Sequence, residues 1–367
     1  MKILYDYQIF MTQKYGGISR YFYELTNEFD YMEDIETVTP ILFSNNHYVS
    51  DKRLIKHLKF FPNKDFRGKQ RLMSPFNMLV SVSYLKKQNF DIFHPTYYDP
   101  YFLKYIGSKP FVLTVYDMIH EKFSELFPEQ DVTTQNKKLL VEKASKIIAI
   151  SQSTKNDLID LFDVEPSKIE VVYLGNSMPI NTHELGSIDV PKKYLLFVGS
   201  RGAYKNFKKF IVSISQILNK DKNLFVICAG GGKFNTQELE SFLSLNIANQ
   251  VKQYNLDDDM LANLYKNAEL FVFPSLYEGF GIPVLEAFAC KCSLVCSKTS
   301  SLPEVAGDAA CYFDPYSEES IKNTVEEVLN NKGLQNKLRE KGTKRLEQFS
   351  WKRTALETKK IYESILK

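Results

Sequence analysis

The chain has 367 residues, of which 44% are hydrophobic and 25% are charged, and its formal net charge is +3. At about 150 residues per domain this length indicates two domains, and the ordinary composition argues against disordered and fibrous classes. So small a net charge argues against electrostatic wrapping of nucleic acid, and we expect no nucleic-acid partner.

Short apolar strands alternate with amphipathic helices in the first half of the chain. The predicted strands lie at residues 3–5, 40–43, 92–93, 111–115, 147–150 and 170–172. Apolar residues recur at helical spacing over 18–29 and 132–146. A strand followed by a helix, repeated along the chain, predicts parallel βαβ units.

The same pattern restarts in the second half, with predicted strands at 194–198, 224–228, 270–273 and 293–296 and helices near 205–218, 258–267 and 282–290. Residues 176–193 between the halves are polar, contain Pro and Gly, and lack periodicity, which indicates a linker. We therefore predict one domain over 1–185 and a second over 186–350. A final helix over 351–367 has one apolar face.

The start of the chain does not resemble a signal peptide, because Asp6 interrupts the apolar stretch. The longest runs without a charged residue, 37–50 and 72–85, are too short to span a bilayer. The five cysteines are odd in number and lack the spacing of a zinc site, which favours small core side chains. We expect a cytoplasmic protein.

Residues 52–71 carry eight Lys or Arg side chains against the single acid Asp65, interleaved with Phe60, Phe61 and Phe66. Runs of this kind are commonly solvated loops. The alternative is a surface that touches anionic lipid head groups, which would give peripheral contact with the inner face of the plasma membrane.

The segment 271–287 combines a strand end, a Gly-Phe-Gly turn and a helix start. Glu278 precedes the turn, Gly279 and Gly281 lie within it, and Glu286 follows on the helix. Glycines let the backbone approach a ligand closely, and the amides and dipole of a helix start favour an anion such as phosphate. The carboxylates can accept hydrogen bonds from sugar or ribose hydroxyls. The alternative is a tight connection with two exposed acids.

A second strand, glycine loop and helix start occupies residues 197–207. Arg201 and Lys205 provide a guanidinium fork and an ammonium group, which suit the oxygens of a diphosphate. The GxGxxG pattern is absent, which counts against an NAD(P) site. The alternative is two surface cations near a helix start, where they would oppose the helix dipole.

Weaker signals lie elsewhere. Gly16 and Gly17 form a turn that opens the first helix and could face the same ligand. His94 and His120 follow strands, where a lone histidine is commonly a hydrogen-bonded packing residue. The acidic run 257–259 precedes a helix, so we interpret it as helix capping rather than a metal motif.

These motifs together resemble the retaining glycosyltransferases of family 4, in the GT-B superfold. The residues that carry the resemblance are Glu278 and Glu286 within PSLYEGFGIPVLEA, the downstream SSLPEVAGDAACYFDP, the loop FVGSRGAYKNF, and IIAISQSTKNDL. In the first half, YGGISRYFYEL and DIFHPTYY resemble a bacterial subgroup often assigned as mannosyltransferases of surface polysaccharide assembly. The similarity extends over nearly the whole chain.

The resemblance implies an α/β chain with two Rossmann-like, doubly wound parallel-sheet domains that face a central cleft. The domain at 1–185 would bind the acceptor, and the domain at 186–350 would bind the nucleotide-sugar donor. The helix at 351–367 would cross back to the first domain.

The resemblance also implies roles for individual residues. Glu278 would contact the donor sugar, Glu286 the nucleotide ribose, and Arg201 with Lys205 the diphosphate. The complete set implied to bind the donor is Gly16, Gly17, Gly199, Arg201, Lys205, Val251, Tyr254, Glu278, Gly279, Phe280, Gly281, Ile282 and Glu286.

One departure concerns the end of the strand near residue 114. Many relatives have His-Asp there, whereas this chain has Tyr116 and Asp117, with His120 three residues after Asp117. The role of the usual histidine is left open between Tyr116 and His120. The catalytic candidates are Glu278, Arg201, Lys205, Asp117 and His120, and the acceptor-binding candidates are His94, Tyr97 and Tyr116.

The implied reaction is hexosyl transfer with retention at the anomeric carbon, in surface polysaccharide biosynthesis. The donor is a nucleotide sugar, with GDP-mannose as first candidate, and the acceptor is a hydroxyl of a glycan or a lipid-linked saccharide. No metal ion or cofactor is expected. Because fold does not fix function, a nucleotide-sugar epimerase, a phosphorylase and a non-catalytic carbohydrate-binding relative are the alternatives.

Overall fold

The computed structural model describes residues 1–51, 57–178 and 189–367. The chain divides into two compact units, one formed by Met1–Leu174 with Trp351–Lys367 and the other by Gly175–Ser350. The domain boundary predicted at residue 185 lies outside the described residues.

The first unit is built from short strands and the helices that connect them. Its strands are β1 (Lys2–Tyr5), β2 (Glu36–Val38), β3 (Ile92–His94), β4 (Val112–Val115), β5 (Lys146–Ala149) and β6 (Ile169–Val171). Its helices before residue 175 are α1 (Gln8–Thr12), α2 (Gly17–Phe29), α3 (His47–Asp51), α4 (Lys69–Lys87), α5 (Ile119–Lys122), α6 (Thr133–Lys143) and α7 (Gln152–Phe162).

The strand pairs of the first unit are parallel, in the orders β2-β1-β3 and β4-β5-β6. A bridge between Phe93 and Phe111 joins the two groups of strands. Side chains such as Ile3, Phe93 and Ile148 are fully buried along these strands. The predicted parallel βαβ units are confirmed.

The predicted strand at residues 40–43 is wrong. The chain pairs with β1 earlier, at Glu36–Val38. Pro40 has no amide hydrogen to donate to a strand ladder. The amides of Leu42 and Phe43 instead donate to Asn77 Oδ1, at 3.0 and 2.8 Å.

The second unit contains a single parallel sheet. Its strands are β7 (Tyr194–Val198), β8 (Phe225–Ala229), β9 (Val251–Tyr254), β10 (Leu270–Phe273), β11 (Leu294–Ser297) and β12 (Ala310–Phe313). Its helices are α8 (Phe207–Lys220), α9 (Thr236–Ser244), α10 (Asp258–Asn267), α11 (Ile282–Ala289), α12 (Leu302–Ala306), α13 (Glu318–Leu329) and α14 (Lys332–Leu346).

The strand order in this sheet is β12-β11-β10-β7-β8-β9. This is the order of dinucleotide-binding folds, in which the direction of winding reverses between two central strands, here β7 and β10. Phe197, Val226 and Val272 belong to the hydrophobic core around these strands. The edge strands β9 and β12 are absent from the strands predicted above. Lys252 and Gln253 interrupt the apolar pattern of β9, whereas β12 is a short apolar run whose two middle residues are half-buried.

The last helix, α15 (Trp351–Leu366), belongs to the first unit although the chain reaches it after the second. The Trp351 ring lies 6.2 Å from that of Tyr21 on α2. The Tyr362 hydroxyl is 3.1 Å from the hydroxyl of Tyr5 on β1. The predicted return of the final helix to the first domain is confirmed.

All five cysteines are free, and four of them, Cys228, Cys290, Cys292 and Cys296, are buried. Burial raises the pKa of the Cys290 thiol to about 12. This confirms the interpretation of the cysteines as core side chains. None of the helices in the described ranges is long and apolar enough to cross a bilayer.

Candidate active site

Two loops at the carboxyl ends of neighbouring strands form the candidate donor site of the second unit. One follows β7 and leads to α8 at Phe207, and the other follows β10 and leads to α11 at Ile282. The carbonyl of Tyr204 in the first loop accepts a hydrogen bond from the amide of Leu276 in the second, at 2.8 Å. Sheets of this order bind ligands outside the carboxyl ends of the strands at the switch point, which is where these loops lie.

A close ion pair joins the two loops. Lys205 Nζ is 2.6 Å from Glu278 Oε1, and the two side chains are only 15% and 11% exposed. The ammonium also lies over the rings of Tyr204 and Phe273, 5.2 and 5.7 Å from their centroids. The structure therefore brings together the charged atoms of two residues that the sequence assigned to one site.

Two serines fix the backbone around Glu278. The Ser301 hydroxyl faces the carbonyl oxygens of Glu278 and Phe280, at 2.8 and 2.9 Å. The Glu278 amide donates to Ser300 Oγ at 3.0 Å. Both serines belong to the SSLPEV segment, whose sequence gave no signal for this contact. The two serines thus fix the backbone of Glu278, and Lys205 fixes its carboxylate. Such support is what a preorganised binding group requires.

Gly281 is the residue before α11 and has a left-handed conformation, with φ of 96°. A Cβ at this position would lie 2.8 Å from Leu302 Cδ2. Only glycine meets both conditions without strain. Phe280, just before it, is buried and packs edge-on against Phe349, so its ring belongs to the core. Gly279 starts this turn and Ile282 is the first residue of α11, so the positive end of the helix dipole follows Glu278 closely along the chain.

Glu286 lies on α11 and is 7% exposed. Its Oε2 accepts a hydrogen bond from the Tyr265 hydroxyl at 3.0 Å. Burial, followed by the nearby Glu286 carboxylate, raises the pKa of Tyr265 well above its usual value, so the hydroxyl stays a donor. Tyr265 therefore orients the carboxylate, a role that nothing in the α10 sequence signals. The contact of Glu286 with a ribose stays a prediction.

Arg201 has partners of its own on the same loop as Lys205, and its contact with the diphosphate stays a prediction. Its Nε is 2.6 Å from Glu238 Oε1, and its side chain is 5% exposed. Its terminal nitrogens donate to carbonyl oxygens of the turn at residues 230–233, at 3.0 to 3.2 Å. A guanidinium held in this way stabilises the turn.

The turn at residues 230–233 is shaped to receive Arg201. Gly231 has a φ of 72°, and a Cβ there would lie 2.7 Å from Arg201 Nη1. Glu238 also caps its own helix, α9, because its side chain accepts from the amide of Asn235. The sequence shows two cations on one loop but gives no sign of the acid, 37 residues later, that pairs with one of them.

Val251 and Tyr254, which the resemblance implies bind the donor, lie in the edge strand β9. The Val251 side chain is buried in the hydrophobic core of the second unit, so any contact with the donor would come from its backbone, and this contact stays a prediction. Tyr254 ends the strand, and its carbonyl accepts from the Gly230 amide at 2.9 Å. Gly199, which starts the loop after β7, donates its amide to Ala229 at 2.9 Å. Ligand contact by Gly199 and Tyr254 stays a prediction.

In the first unit, Gly16 and Gly17 start α2 as the sequence predicts. Gln13 Oε1 accepts from the amide of Ser19 at 3.1 Å, so this side chain satisfies one donor of the helix start. A Cβ at Gly16 would lie 2.2 Å from the same Gln13 oxygen. The sequence gives no signal for Gln13, and phosphate contact at Gly16 and Gly17 stays a prediction.

His94 and Tyr116 lie inside the first unit. His94 is fully buried, with Nδ1 2.6 Å from the Tyr362 hydroxyl and Nε2 2.9 Å from Thr114 Oγ1. Burial lowers the pKa of His94 to about 3. Tyr116 is 6% exposed, and its hydroxyl faces the Thr96 carbonyl at 3.4 Å. This placement favours packing roles for both residues over the predicted acceptor binding.

Asp117 and His120 lie just beyond the carboxyl end of β4 and are partly exposed. His120 stacks on Phe127, and its Nε2 is 3.6 Å from Asp131 Oδ2. Burial, followed by the charge of Lys137, lowers the pKa of His120, so it is neutral at pH 7. Of the two candidates for the usual histidine, His120 is therefore the more accessible one.

Lys137, a buried cation that the sequence does not indicate, supports the segment that contains Asp117 and His120. Lys137 is fully buried, and its Nζ is 2.8 Å from Glu121 Oε2 and 3.0 Å from the Asp117 carbonyl oxygen. Tyr97, the remaining acceptor candidate, is half-buried, and burial raises its pKa to about 12, so it stays protonated. The helical pattern of residues 132–146 gives no sign that one of its lysines points into the core.

Two family matches cover most of the chain. Residues 181–345 match the family described as glycosyl transferases group 1, and residues 15–176 match the one described as glycosyltransferase family 4. The chain belongs to these glycosyltransferases. A relative of this glycosyltransferase is O-antigen chain mannosyltransferase B of Escherichia coli, which is 27% identical over 286 residues, 74% of each chain.

Solved structures show that the glycosyltransferase has the GT-B fold. Sucrose-phosphate synthase of Thermosynechococcus elongatus aligns over 100% of this chain and 99% of its own, with a TM-score of 0.77 and 17% identity. Anabaena Alr3699/HepE in complex with UDP and glucose aligns over 99% of this chain and 100% of its own, with a TM-score of 0.75 and 16% identity.

No group of three or more His, Cys, Asp or Glu residues in the described parts of the glycosyltransferase could hold a metal ion. The acidic run at 257–259 caps a helix, as predicted. Asp257 Oδ1 accepts from the Met260 amide at 2.9 Å, and Asp258 and Asp259 lie in the first turn of α10.

Proposed function

We propose that this glycosyltransferase transfers a hexosyl residue, with retention at the anomeric carbon, from a nucleoside diphosphate sugar to a hydroxyl group. The observation that supports this most directly is the pair of Lys205 and Glu278, 2.6 Å apart at the switch point of the second sheet. A cation suits a diphosphate and a carboxylate suits sugar hydroxyls, so the two ends of such a donor have complementary partners next to each other.

In the proposed reaction, Lys205 and the start of α11 stabilise the leaving group. As the bond between the sugar and the diphosphate breaks, negative charge grows on the leaving phosphate oxygen. Lys205 and the positive end of α11 at Gly281 would stabilise that charge electrostatically, without a metal ion. The acceptor oxygen bonds to the anomeric carbon on the same face, and its proton passes to an oxygen of the departing diphosphate.

Glu278 and Glu286 would hold the two sugars of the donor. Their carboxylates are fixed by Lys205 and Tyr265, respectively, and both can accept hydrogen bonds from hydroxyl groups. In this proposal Glu278 faces the transferred hexose and Glu286 faces the nucleotide ribose. Because these carboxylates are already fixed before the donor binds, they lose little conformational entropy on binding. This favours a defined orientation of the donor.

We propose mannose as the transferred sugar and GDP-mannose as the donor. The support is the similarity to the E. coli mannosyltransferase, whose name places it in O-antigen chain synthesis. The proposed acceptor is a growing glycan or a lipid-linked saccharide of surface polysaccharide synthesis, handled at the cytoplasmic side of the membrane.

The first test measures which donor the full chain binds and transfers. Melting temperatures are recorded with GDP, UDP, GDP-mannose and UDP-glucose, since a bound ligand stabilises the folded protein by mass action. Transfer from the best donor is then followed with mannose-containing oligosaccharide acceptors, and the anomeric configuration of the product is read by NMR. A product with inverted anomeric configuration would contradict retention. A requirement for inorganic phosphate would indicate a phosphorylase, and conversion of the nucleotide sugar without any acceptor would indicate an epimerase.

The second test uses variants of the site. Lys205→Ala and Glu278→Ala should each lower transfer by a factor of about 100 to 1,000 while the protein stays folded. Lys208→Ala is the matched control, because Lys208 is exposed on the next helix, α8. Near-normal turnover in both site variants would contradict the proposed function.

A further inference from the structure

Exposed apolar side chains are concentrated in one segment of the first unit. Among the described residues, eight of the eighteen large hydrophobic side chains that are exposed lie between residues 57 and 87. They are Leu58, Phe61, Phe66, Leu72, Phe76, Met78, Leu79 and Tyr84. Exposed apolar side chains that are concentrated in this way are costly in water and commonly mark an interaction surface.

Helix α4 contributes to this surface because its apolar face points outward. The residues it buries, Met73, Asn77, Ser81 and Leu85, include two polar side chains. Leu72 and Leu79, two helical turns apart on the opposite side, are 54% and 66% exposed. A helix that served only the core would show the reverse arrangement.

The orientation of α4 is fixed by its buried polar residues. Asn77 Oδ1 accepts from the amides of Leu42 and Phe43, and its Nδ2 donates to the Phe43 carbonyl at 2.9 Å. Ser81 Oγ is 2.6 Å from the Tyr101 hydroxyl. Rotating the helix to bury its leucines would break these hydrogen bonds, including those that satisfy the amides of Leu42 and Phe43.

The loop before α4 is also held in place. Lys69 Nζ donates to the carbonyls of Phe61 and Lys64, at 2.9 and 2.8 Å. Asn45 exchanges hydrogen bonds with the backbone of Phe60. Phe61 and Phe66 are therefore displayed by a built loop, with their rings 5.9 Å apart.

The charge around these apolar side chains is strongly positive. Residues 57–87 contain seven Lys or Arg residues, namely Lys59, Lys64, Arg67, Lys69, Arg71, Lys86 and Lys87, and the single acid Asp65. The rest of the basic stretch noted in the sequence, residues 52–56, lies outside the described residues.

We propose that the surface formed by Phe61, Phe66, Leu72 and Leu79, hereafter the α4 face, docks on an anionic lipid bilayer. Aromatic and leucine side chains enter the boundary between head groups and acyl chains, while surrounding lysines and arginines bind anionic head groups. The charge complementarity selects this occupant over a second copy of the chain, which would oppose two equally positive faces. The proposal does not depend on the proposed reaction.

The test measures binding of the full chain to phosphatidylcholine vesicles with and without phosphatidylglycerol, by flotation. We expect binding only to the anionic vesicles, weakened by salt because exposed charges are screened. Arg67→Glu/Arg71→Glu should weaken binding by a factor of about 30 or more, at about tenfold per 1.4 kcal/mol. Lys337→Glu/Lys344→Glu on α14 is the matched control, because both lysines are exposed.

The apolar contribution is tested separately. Leu72→Ser/Leu79→Ser should weaken binding at least about tenfold. The control is Leu239→Ser/Leu243→Ser on α9, where the leucines are 48% and 66% exposed. Donor binding and transfer to a soluble acceptor should be unchanged in all four variants, which shows that they fold.

Three outcomes would overturn the proposal. The chain could fail to bind anionic vesicles, or the control variants could lose as much binding as the α4-face variants. The third is a dimer in sedimentation experiments that Leu72→Ser/Leu79→Ser converts to a monomer, because the face would then be covered by a second copy. Vesicle binding by a chain that transfers no sugar would leave this proposal standing and contradict only the proposed function.

Discussion

Lys205 and Glu278 neutralise each other across 2.6 Å, although 73 residues separate them in the chain. Their loops follow β7 and β10, adjacent strands whose carboxyl ends lie side by side. The pair is mostly buried, so the attraction between the two charges is screened less by water than that of an exposed ion pair. A sugar donor could replace this ion pair with two other favourable interactions. Its diphosphate would attract the Lys205 ammonium, and a sugar hydroxyl would donate a hydrogen bond to the Glu278 carboxylate.

We expect variants of these two residues to fail in different ways. Lys205→Met should weaken binding of GDP or UDP at least about tenfold, because it removes the cation that we propose faces the diphosphate. Glu278→Gln should leave nucleoside diphosphate binding equal or stronger, since it removes an acid beside that anion, yet lower transfer by a factor of about 100. Calorimetric titration and initial rates separate the two effects. Equal losses of nucleotide affinity in both variants would contradict the assignment of roles.

The stability of the two variants provides an independent check. Each single substitution removes one charge of a mostly buried ion pair and should lower the free energy of unfolding by about 2 kcal/mol or more. The double variant Lys205→Met/Glu278→Gln leaves no charge behind and should recover part of the loss. A double-mutant cycle from urea unfolding measures this coupling. Simple additivity would show that the pair does not form in solution.

Arg201 and Glu238 give a second prediction. Arg201→Gln should lower the free energy of unfolding by about 2 kcal/mol, because Glu238 loses the cation it pairs with and the carbonyls of the turn at 230–233 lose the Arg201 donors. Donor affinity should fall with it, as the turn lies beside the loop after β7. Urea unfolding and calorimetric titration measure the two changes. Unchanged stability with weaker nucleotide binding would show instead that Arg201 moves to the diphosphate.

The site residues that sequence could predict are those placed by local rules. Glu278 and Lys205 each follow a strand and precede a helix, and in a parallel sheet such positions meet at one edge. Arg201 has the same local signature, but its environment is decided by Glu238, and no local rule relates the two. His94 likewise resembles a site residue in sequence, whereas its partner Tyr362 lies 268 residues away and arrives only with the return of α15.

The predicted strand at 40–43 failed for the same reason. Its apolar residues fit a strand, and the alternative depends on Asn77, whose amide competes for the backbone of Leu42 and Phe43. A single polar residue in a distant helix thus decided the local structure. Where hydrophobic periodicity is the whole signal, as in the βαβ pattern, sequence predicts the fold well.

Gly281 carries a third prediction. Gly281→Ala should lower the free energy of unfolding by about 2 kcal/mol, because the left-handed conformation costs an alanine about 1 kcal/mol and its Cβ meets Leu302 at 2.8 Å. Donor affinity should fall as the start of α11 shifts. Gly202→Ala is the matched control in the neighbouring loop, since its φ is −61° and no atom lies within 4 Å of the added Cβ. Equal effects in the two variants would show that the turn at Gly281 adapts.

His94 makes the stability of the first unit depend on pH. Its pKa is about 3 in the folded protein and about 6.5 in an unfolded chain, so the unfolded state binds more protons between these values. Stability is therefore complete above pH 6.5 and falls with acidification, by about 2 kcal/mol between pH 7 and pH 5. His94→Gln removes the titrating group and should abolish this part of the slope, measured by urea unfolding at both pH values. Identical slopes in the two proteins would contradict the low pKa of buried His94. A higher KM for the acceptor with unchanged stability would support the predicted role of His94 in acceptor binding.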